Sequence, residues 1–515
     1  MYSRIHKQGE VEDCQISKLP LKIQNGVDFG SFIKLKSRKY LRLISQKLII
    51  WALSIHFPGW SLSYTTSKVH LKLLWHSISN EKFSSKFHPT LEYYLNRWPK
   101  LIMDFRYEAN FFQSATNIEK FQTILQQYQE KNHALHSGPR IISSNAFLGN
   151  SNVHAYIDTY IKARLLSGYQ NHRIFVCLSD LQQSQIKNLE MFKYWQKYVK
   201  VLSPKELRSE FGSSFNLYVD DITWAVNFKG KMIYVEHAKP IIQALWEQER
   251  RAPLLSMDHV SVVNSRKELK KIGLPADAWF VTLHVRDSGA KTGSWHLPDP
   301  YDGHRNADIE TYYGAIKWIQ KRGGYVVRVG DPSMKPTEDI TGLIDYAHSS
   351  LRSSTLDLFL FTQCIFFVGT ASGPILTPIV FGTPTAATNF SPVYARLHAG
   401  NTLTISKRYY SNSEERFLTL SESLLSTIAK ENDFRKFKES RITLVDNTPE
   451  EILDLFKEMS MRVDGTISYS LKDSDLNNEA SKLYSLYSEY GTLGRLGRQY
   501  LRNLHGSSCL DLPLL

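Results

Sequence analysis

The strongest constraint in this sequence is the regular alternation of strand-like and helix-like segments between residues 278 and 390. The strand-like runs are AWFVTLHVRD, GYVVRVGD, IFFVGTAS and TPTAATNF, and the helix-like segments between them are DIETYYGAIKWIQKRG, SSTLDLFLFTQC and GPILTPIVFG. Strands that alternate with helices pair in parallel, because each helix carries the chain back over one face of the sheet. The sequence therefore predicts a doubly wound α/β domain.

A second unit of the same kind precedes it. The run PRIISSNAFLGNSN predicts a buried strand that enters a loop from Leu148 to Asn152. The next two segments, VHAYIDTYIKARLLSG and HRIFVCLSD, predict a helix ended by Gly168 and a further strand. This β-α-β order predicts a second doubly wound domain, with the loop on its ligand-facing edge.

The chain of 515 residues is thus expected to divide into four parts. They are a basic helical N-terminal region (1–135), an N-terminal α/β domain (136–260), a C-terminal α/β domain (261–446) and a helical tail (447–515). In the tail, Thr448 is placed to cap a helix whose first turn contains Pro449.

Positive charge is concentrated at the N-terminal end. Residues 1–100 hold 16 basic and 6 acidic side chains, and no acid lies between Asp28 and Glu81. A nucleic-acid-binding protein would usually carry its charge across the binding domain, so this pattern favours a local anionic partner instead. We expect residues 34–75 to dock on an anionic membrane face or a lipid-linked acceptor, although the apolar stripe from Leu41 to Ile55 also fits a core helix.

The remaining composition points to an intracellular location. The four cysteines (Cys14, Cys177, Cys364 and Cys509) form no C-x-x-C pair, so we expect reduced, buried thiols. The first residues contain acids where a signal peptide would need an apolar core, and no apolar run is long enough to span a membrane. The sequence therefore predicts a cytoplasmic protein that is either free or peripheral on the inner face of the cell membrane.

Unusual polar residues follow the predicted strands of the C-terminal domain. His284 and Arg286 are two residues apart at a strand end, so both point to the same side. Arg328 closes the next strand, and the turn Gly369 to Gly373 closes a third. Small residues let backbone N–H groups approach a phosphate, and a guanidinium binds phosphate oxygens in pairs. The turn lacks the lysine of a P-loop, so the pattern indicates an anion site of another kind.

The motif HVRD, followed by SSTLDLFLFTQCIFFVGTASG, resembles the H-x-R glycosyltransferases of the GT-B fold, a superfamily that includes fucosyltransferases. Residues 255–460 are more closely similar to a family of bacterial glycosyltransferases found with surface-polysaccharide genes. The resemblance implies two Rossmann-type domains facing a cleft, with the acceptor on the 136–260 side and a nucleotide sugar in residues 261–446. It implies transfer of a sugar, with GDP-sugars favoured, to a polysaccharide, lipid-linked glycan or protein acceptor.

The resemblance also implies roles for individual residues. His284 and Asp357 would hold the nucleotide base, Arg286 the pyrophosphate, and Thr370 and Ser372 a phosphate. The remaining candidate donor-binding residues are Arg328, Gly369 and Gly373. The segment DSGAKTGSWH departs from the residues that follow H-x-R in many fucosyltransferases, so fucose itself is not implied.

The general base stays open among several candidates, with Asp287 placed beside Arg286 in the catalytic set. The others are His296, Asp299, His304 and, in the N-terminal domain, His154 and Asp158. No metal or cofactor is predicted, because the only D-x-D triplet, Asp473 to Asp475, reads as a turn ahead of the helix LNNEASKLYSLYSEY.

Two other functions fit the same features. One is a sugar-nucleotide epimerase or hydrolase on the same fold. The other is a non-enzymatic, membrane-peripheral protein that binds an anionic polymer through residues 29–80.

Overall fold

The computed structural model describes only part of the chain. The described residues are Phe147 and the ranges 140–142, 152–169, 173–211, 219–289, 303–487 and 494–506, with gaps of one or two residues inside these ranges. All of them belong to one compact unit, Asp104–Leu515. The basic region 1–135 with its docking segment 34–75, most of the loop at Leu148, and the candidates His296 and Asp299 lie outside the described residues.

Between residues 278 and 390 the described strands and helices follow the predicted alternation, apart from one strand that was not predicted, Leu343–Asp345, which follows the strand before it without a helix between them. The strands are β1 (Arg140–Ile142), β2 (Ile174–Cys177), β3 (Val199–Leu202), β4 (Val219–Asp220), β5 (Ala225–Phe228), β6 (Lys231–Tyr234), β7 (Phe280–His284), β8 (Tyr325–Arg328), β9 (Leu343–Asp345), β10 (Phe367–Gly369), β11 (Thr385–Phe390), β12 (Thr402–Ser406), β13 (Arg408–Ser411), β14 (Arg416–Phe417), β15 (Ile442–Val445) and β16 (Arg495–Leu496).

The helices lie between these strands and in the C-terminal segment. They are α1 (Asn152–Leu166), α2 (Asp180–Ser184), α3 (Leu189–Trp195), α4 (Pro204–Phe211), α5 (Val235–Gln248), α6 (His259–Lys270), α7 (Tyr313–Lys321), α8 (Ser354–Thr362), α9 (Leu376–Val380), α10 (Leu420–Leu425), α11 (Phe434–Glu439), α12 (Pro449–Val463), α13 (Leu471–Tyr487) and α14 (Arg498–Gly506), with 3-10 turns at Gly303–Arg305, Ile309–Tyr312, Tyr346–His348 and Gly373–Ile375.

The larger sheet is wholly parallel and has the strand order β9-β8-β7-β10-β11-β12-β16. From β7 the chain moves outward through β8 to β9, and then returns to place β10 on the other side of β7. The first six strands thus follow the 3-2-1-4-5-6 order of a Rossmann sheet. The prediction of a parallel doubly wound domain in this part of the chain is confirmed.

The smaller sheet is also parallel, with the order β3-β2-β1-β4. Its strands repeat the first four positions of the larger sheet, 3-2-1-4. The predicted helix over VHAYIDTYIKARLLSG is α1, and Gly168 behind it has φ +83°, a conformation that favours glycine. An antiparallel hairpin, β5-β6, then leads into α5. We call residues 140–248 the N-terminal lobe and 259–506 the C-terminal lobe.

The larger sheet is covered on both faces, which explains why β7 is buried at every residue. Val281, Leu283 and Val285 face a core that includes α7 and α12, whereas Phe280 faces the core formed with α6 and α8. This alternation places His284 on the Phe280 side. The lobes contact each other, because Leu358 and Val380 pack into the core around the smaller sheet.

The C-terminal segment is part of the larger sheet's core. In α12, Thr448 and Glu451 form the two hydrogen bonds of a capping box and Pro449 occupies the first turn, as predicted. Phe456 packs edge-on against Phe366 at 5.9 Å between ring centroids. Farther along, β16 pairs with β12 at the edge of the sheet. The segment 447–515, predicted as helical, therefore also supplies a strand.

One local prediction was wrong. The triplet from Asp473 to Asp475 lies inside the first turns of α13 rather than in a turn before it. Ser470 and Asp473 exchange hydrogen bonds of 3.1 Å between each backbone N–H and the other side chain, so the helix begins earlier than expected. Asp473 also accepts two hydrogen bonds from Arg502, at 2.7 and 2.9 Å. These partners give it a structural role.

Of the described cysteines, neither Cys177 nor Cys364 forms a disulfide. Cys364 is buried as predicted, whereas Cys177 is only half-buried, and Cys14 and Cys509 lie outside the described residues. Within the part of the chain that the structure describes, none of the helices combines the length and apolar character needed to cross a membrane.

Candidate functional site

The C-terminal lobe has a topological switch point between β7 and β10. The chain leaves β7 toward β8 on one side and leaves β10 toward β11 on the other. The two connections therefore diverge, which opens a crevice at the carboxyl ends of β7 and β10. In the pairing register His284 lies opposite Gly369. The Thr370 N–H donates to the His284 carbonyl at 3.1 Å, and the Arg286 N–H donates to Thr370 Oγ1 at 3.0 Å. The structure thus joins the H-x-R motif to the glycine-containing turn.

The turn after β10 brings its backbone close to the strand ends. A Cβ at Gly369 would meet the Phe367 ring at 2.8 Å, so a side chain is sterically disfavoured there. Thr370 is fully buried and its hydroxyl accepts from Arg286. Ser372 is half-buried, and its side chain makes no capping hydrogen bond to the 3-10 turn that starts at Gly373. Ser372 is therefore better placed than Thr370 to reach a ligand.

Arg286 is held by a chain of polar contacts. Its guanidinium donates to the side-chain oxygen of Asn306, and its carbonyl accepts from the Ala307 N–H at 2.9 Å. The Asn306 carbonyl in turn accepts from the buried Lys407 ammonium at 2.5 Å. Lys407 pairs with Asp446 at 2.7 Å. This chain links the end of β7 to the ends of β12 and β15 and fixes the direction of the guanidinium.

His284 is a neutral imidazole at neutral pH. Burial, reinforced by the nearby charges of Arg328 and Arg286, lowers the pKa of His284 to about 4. A hydrogen bond with the Val329 backbone acts in the opposite direction on this pKa. The side chain is buried, and its Nδ1 makes no hydrogen bond of good geometry among the described residues. A buried ring nitrogen that lacks a partner can accept or donate one hydrogen bond to a ligand.

Arg328 and Asp287 tie together the segments that follow β7 and β8. The Arg328 guanidinium donates to the Lys335 carbonyl at 2.8 Å and to Asp345 Oδ2 at 3.1 Å. It also lies 3.9 Å from Asp287 Oδ2. The two carboxylate oxygens of Asp287 each accept a backbone N–H at 2.8 Å, one from Gly289 and one from Lys335. A carboxylate has about four lone-pair sites, so Asp287 keeps acceptor capacity beyond these bonds.

A cavity of about 280 Å³ adjoins these residues. Its wall includes Asp287, Arg328 and Lys335, but not His284 or Arg286. The cavity and the switch point therefore lie on the two sides of the end of β7.

Asp357 lies in α8 and interacts with Tyr346 and Arg352. It is half-buried in the first turn of the helix. Burial raises the pKa of Asp357, while a hydrogen bond with Tyr346 and the charge of Arg352 act in the opposite direction. Its part in holding a base stays a prediction.

His154 and Asp158 both lie in α1, and both are engaged. Trp195 Nε1 donates to His154 Nδ1 at 3.1 Å, so the neutral ring carries its proton on Nε2 and presents a donor rather than a base. Burial lowers the pKa of His154 to about 4. Asp158 is fully buried and pairs with Lys162 at 2.6 Å, and burial raises its pKa against the effect of that lysine.

His304 lies in the 3-10 turn at Gly303–Arg305. It is buried and stacks on the Phe437 ring at 6.0 Å between centroids. The described candidates for the general base therefore do not lie together. Of these candidates, Asp287 is the one that lies beside Arg286.

Asn306 and Lys407 were missed by the sequence analysis. Lys407 directly follows the buried strand TLTIS, so it repeats the pattern that singled out Arg286: a cation at the end of an apolar strand. Asn306 carried no comparable signal, because its contact to Lys407 joins residues 101 positions apart.

No family model and no curated protein matches the chain. Among solved structures it is similar to the glycosyl transferase family 9 protein from Veillonella parvula, with 12% identity, a TM-score of 0.33, and coverage of 52% of this chain and 86% of that one. It is similar to the E. coli ADP-heptose LPS heptosyltransferase II, with 13% identity, a TM-score of 0.33, and coverage of 63% and 99%.

A third similar structure is the dodecameric iron-containing heptosyltransferase TibC from E. coli in complex with ADP-D-beta-D-heptose. It shares 10% identity and a TM-score of 0.30, over 73% of this chain and 78% of that one.

Proposed function

We propose that the chain is a GT-B-type glycosyltransferase that moves a sugar from a nucleotide-sugar donor to an acceptor in cell-surface glycan synthesis. The observation that carries this proposal is the switch point between β7 and β10. There His284, Arg286 and the turn from Gly369 to Gly373 meet at neighbouring strand ends and are joined by hydrogen bonds. Open parallel sheets bind nucleotides at this position.

Arg286 is the proposed pyrophosphate ligand. A guanidinium bonds phosphate oxygens in a bidentate manner and stays charged at any working pH. Its positive charge would stabilise the nucleoside diphosphate as it leaves, so we propose that transfer needs no metal. Ser372 and the backbone of the turn at Gly373 would hold the second phosphate.

His284 is proposed to contact the nucleotide base, with its neutral ring as a hydrogen-bonding group rather than a charge. Asp287 is proposed as the general base, because it is the candidate that adjoins Arg286 and lines the cavity. GDP-sugars remain the favoured donors from the sequence, and ADP-sugars are the alternative to test beside them.

The N-terminal lobe is proposed to present the acceptor across a cleft. Two sheets that share the order 3-2-1-4 support a pair of Rossmann-type domains, which is the architecture of a GT-B enzyme. We further propose that residues 34–75, outside the described part, bring the enzyme to an anionic membrane face or a lipid-linked acceptor. Loss of vesicle binding on deletion of residues 1–75 would support this docking.

The function is tested by thermal-shift and calorimetric measurements with GDP-, ADP-, UDP-, CMP- and dTDP-sugars. Arg286→Ala should weaken the preferred nucleotide about 30-fold or more, because truncating a buried charged contact costs about 2–5 kcal/mol. Arg322, half-exposed beside Asp464, offers a matched control, and Arg322→Ala should leave the affinity within about twofold.

Two results would contradict the proposal. One is a folded wild-type protein that binds none of these nucleotides. The other is an Arg286→Ala protein that keeps full affinity and transfer. Consumption of the donor without any acceptor would instead indicate the epimerase or hydrolase.

A further inference from the structure

The cavity beside β7 is separate from the phosphate-binding side of the proposed site. Its volume is about 280 Å³, and three segments line it: those that follow β7 and β8, and the one around Ala307. Val285 and Asp287 line the cavity, whereas His284 and Arg286 do not. The Arg286 guanidinium lies next to it, because it donates to Asn306, and the following residue, Ala307, is part of the wall.

The cavity wall combines apolar and polar surfaces. Val285, Ala307 and Ile309 form apolar surface, whereas Asp308, Ser333 and Arg328 contribute polar groups. A sugar ring has the same two characters, with C–H groups on its faces and hydroxyls around its rim. Apolar walls with a few placed polar groups are typical of small-molecule sites.

The charges of the described residues that line the cavity balance. Two carboxylates, Asp287 and Asp308, lie among the lining residues with two cations, Arg328 and Lys335. Lys335 is also paired with Glu310 at 3.1 Å. A balanced lining suits a neutral, hydroxyl-rich group better than a phosphate, which the cationic side at Arg286 suits better.

Arg328 has a buried hydrogen-bond donor that a ligand could satisfy. Its side chain is 1% exposed, and it lines the cavity. Its Nε–H has no acceptor among the described residues, whereas its terminal nitrogen donates to Lys335 and Asp345. A buried donor without an acceptor is unfavourable, and a ligand hydroxyl in the cavity would satisfy it.

We propose that this cavity holds the sugar ring of the donor. The pyrophosphate would lie at Arg286, and the sugar ring would lie in the cavity, on the β8 side of the end of β7. The inference rests on the proposed function and assigns a subsite within it. The cavity volume of about 280 Å³ lies below the roughly 300–1,000 Å³ of pockets for drug-sized ligands, so the cavity suits a group smaller than a whole nucleotide sugar.

The test compares a nucleotide sugar with its free nucleoside diphosphate. Ser288 lines the cavity and is exposed, so Ser288→Phe fills the space without disturbing a core. We expect it to weaken GDP-mannose or ADP-glucose about tenfold or more, while GDP or ADP stays within about twofold by calorimetry. Ser256 is exposed and does not line the cavity, so Ser256→Phe should change neither affinity.

A second variant guards against a local rearrangement at Ser288. Asp308→Asn keeps the side-chain oxygen that accepts the Glu310 N–H at 3.0 Å but removes the negative charge. It should weaken the nucleotide sugar and spare the free diphosphate.

The outcomes separate the two proposals. If Ser288→Phe changes neither ligand, or weakens both equally, the sugar subsite is wrong and the proposed function stands. If the wild-type protein binds neither a nucleoside diphosphate nor a nucleotide sugar, both the proposed function and the sugar subsite are overturned.

Discussion

The two parallel sheets begin with the same strand order, yet the charged groups beside them have different partners. In the N-terminal lobe, Lys162 pairs with Asp158 at 2.6 Å, donates to Gln243 at 2.8 Å and lies over the Trp246 ring at 5.6 Å. This ammonium is satisfied by the protein. In the C-terminal lobe, Arg328 and His284 keep ring or guanidinium nitrogens that lack partners among the described residues.

The difference shows that strand order alone does not make a binding site. Both lobes have a switch point, but Lys162 on the helix after β1 is neutralised by Asp158. Arg164 on the same helix has guanidinium nitrogens without a hydrogen-bond partner in the described part of the chain, but its guanidinium lies over the Tyr160 and Tyr169 rings. The carboxyl ends of β7 and β8 instead carry cations and an imidazole that a ligand could satisfy. Function therefore belongs to particular side chains placed on a shared framework.

The largest expected effect is on the stability of the N-terminal lobe. Lys162→Met leaves the Asp158 carboxylate buried without its partner, which should lower the free energy of unfolding by about 3–5 kcal/mol. The double variant Lys162→Met/Asp158→Leu should recover most of this loss. Denaturant unfolding measures both, and nucleotide affinity should not change.

The matched control is an exposed pair of the same type. Lys271 directly follows α6 and lies 2.6 Å from Glu268 on the protein surface, so Lys271→Met should change stability by about 0.5 kcal/mol or less. If Lys162→Met lowers the free energy of unfolding no more than this control does, the pairing of Lys162 within the N-terminal lobe does not distinguish it from the charged groups of the C-terminal lobe.

The next effect is pH dependence. The pKa of His284 falls from 6.5 to about 4 on folding, so between these values the unfolded chain binds a proton that the folded chain does not. The free energy of unfolding should therefore drop as the pH falls from 6.5 toward 4. His284→Gln should remove about 2 kcal/mol of the loss between pH 7 and pH 5, measured by denaturant unfolding.

His154 sharpens the comparison between the lobes. Its pKa is also about 4, but burial alone lowers it, whereas Arg328 and Arg286 contribute at His284. A bound diphosphate should offset those arginines and raise the pKa of His284 without affecting His154. NMR titration of the two rings with and without the preferred diphosphate checks this. Equal responses would contradict the assignment of the anion to the C-terminal lobe.

The smallest effect is expected at Asn306. Asn306→Ala removes the acceptor that orients the Arg286 guanidinium. Hydrogen bonds to charged groups contribute about 1.5–3 kcal/mol, and part of this is recovered when the arginine finds another partner. We therefore expect nucleotide affinity to fall about three- to tenfold. Gln243 provides the counterpart, because it accepts from Lys162 in the N-terminal lobe. Gln243→Ala should alter stability but not nucleotide affinity, and the reverse result would undo the comparison.

The sequence allowed the alternation of strands and helices to be predicted because each element carries its own periodic pattern. It also indicated His284 and Arg286, since a cation after an apolar strand is locally visible. The strand order and the contact between Arg286 and Thr370 depend on pairings between residues 84 positions apart, which no local pattern specifies. The start of α13 also has a local signal, because Ser470 and Asp473 form a capping pair three residues apart, and this pair places the start earlier than the predicted turn does.

The edge strand β16 has a consequence for how the C-terminal lobe is assembled during synthesis. It pairs with β12, yet Arg495 is made long after Leu403, its partner in the register. Until β16 emerges from the ribosome, β12 presents an unpaired edge to other nascent chains. The N-terminal lobe completes its sheet with β4 at Asp220, so we expect the lobe with the proposed donor site to expose an incomplete sheet for longer during synthesis.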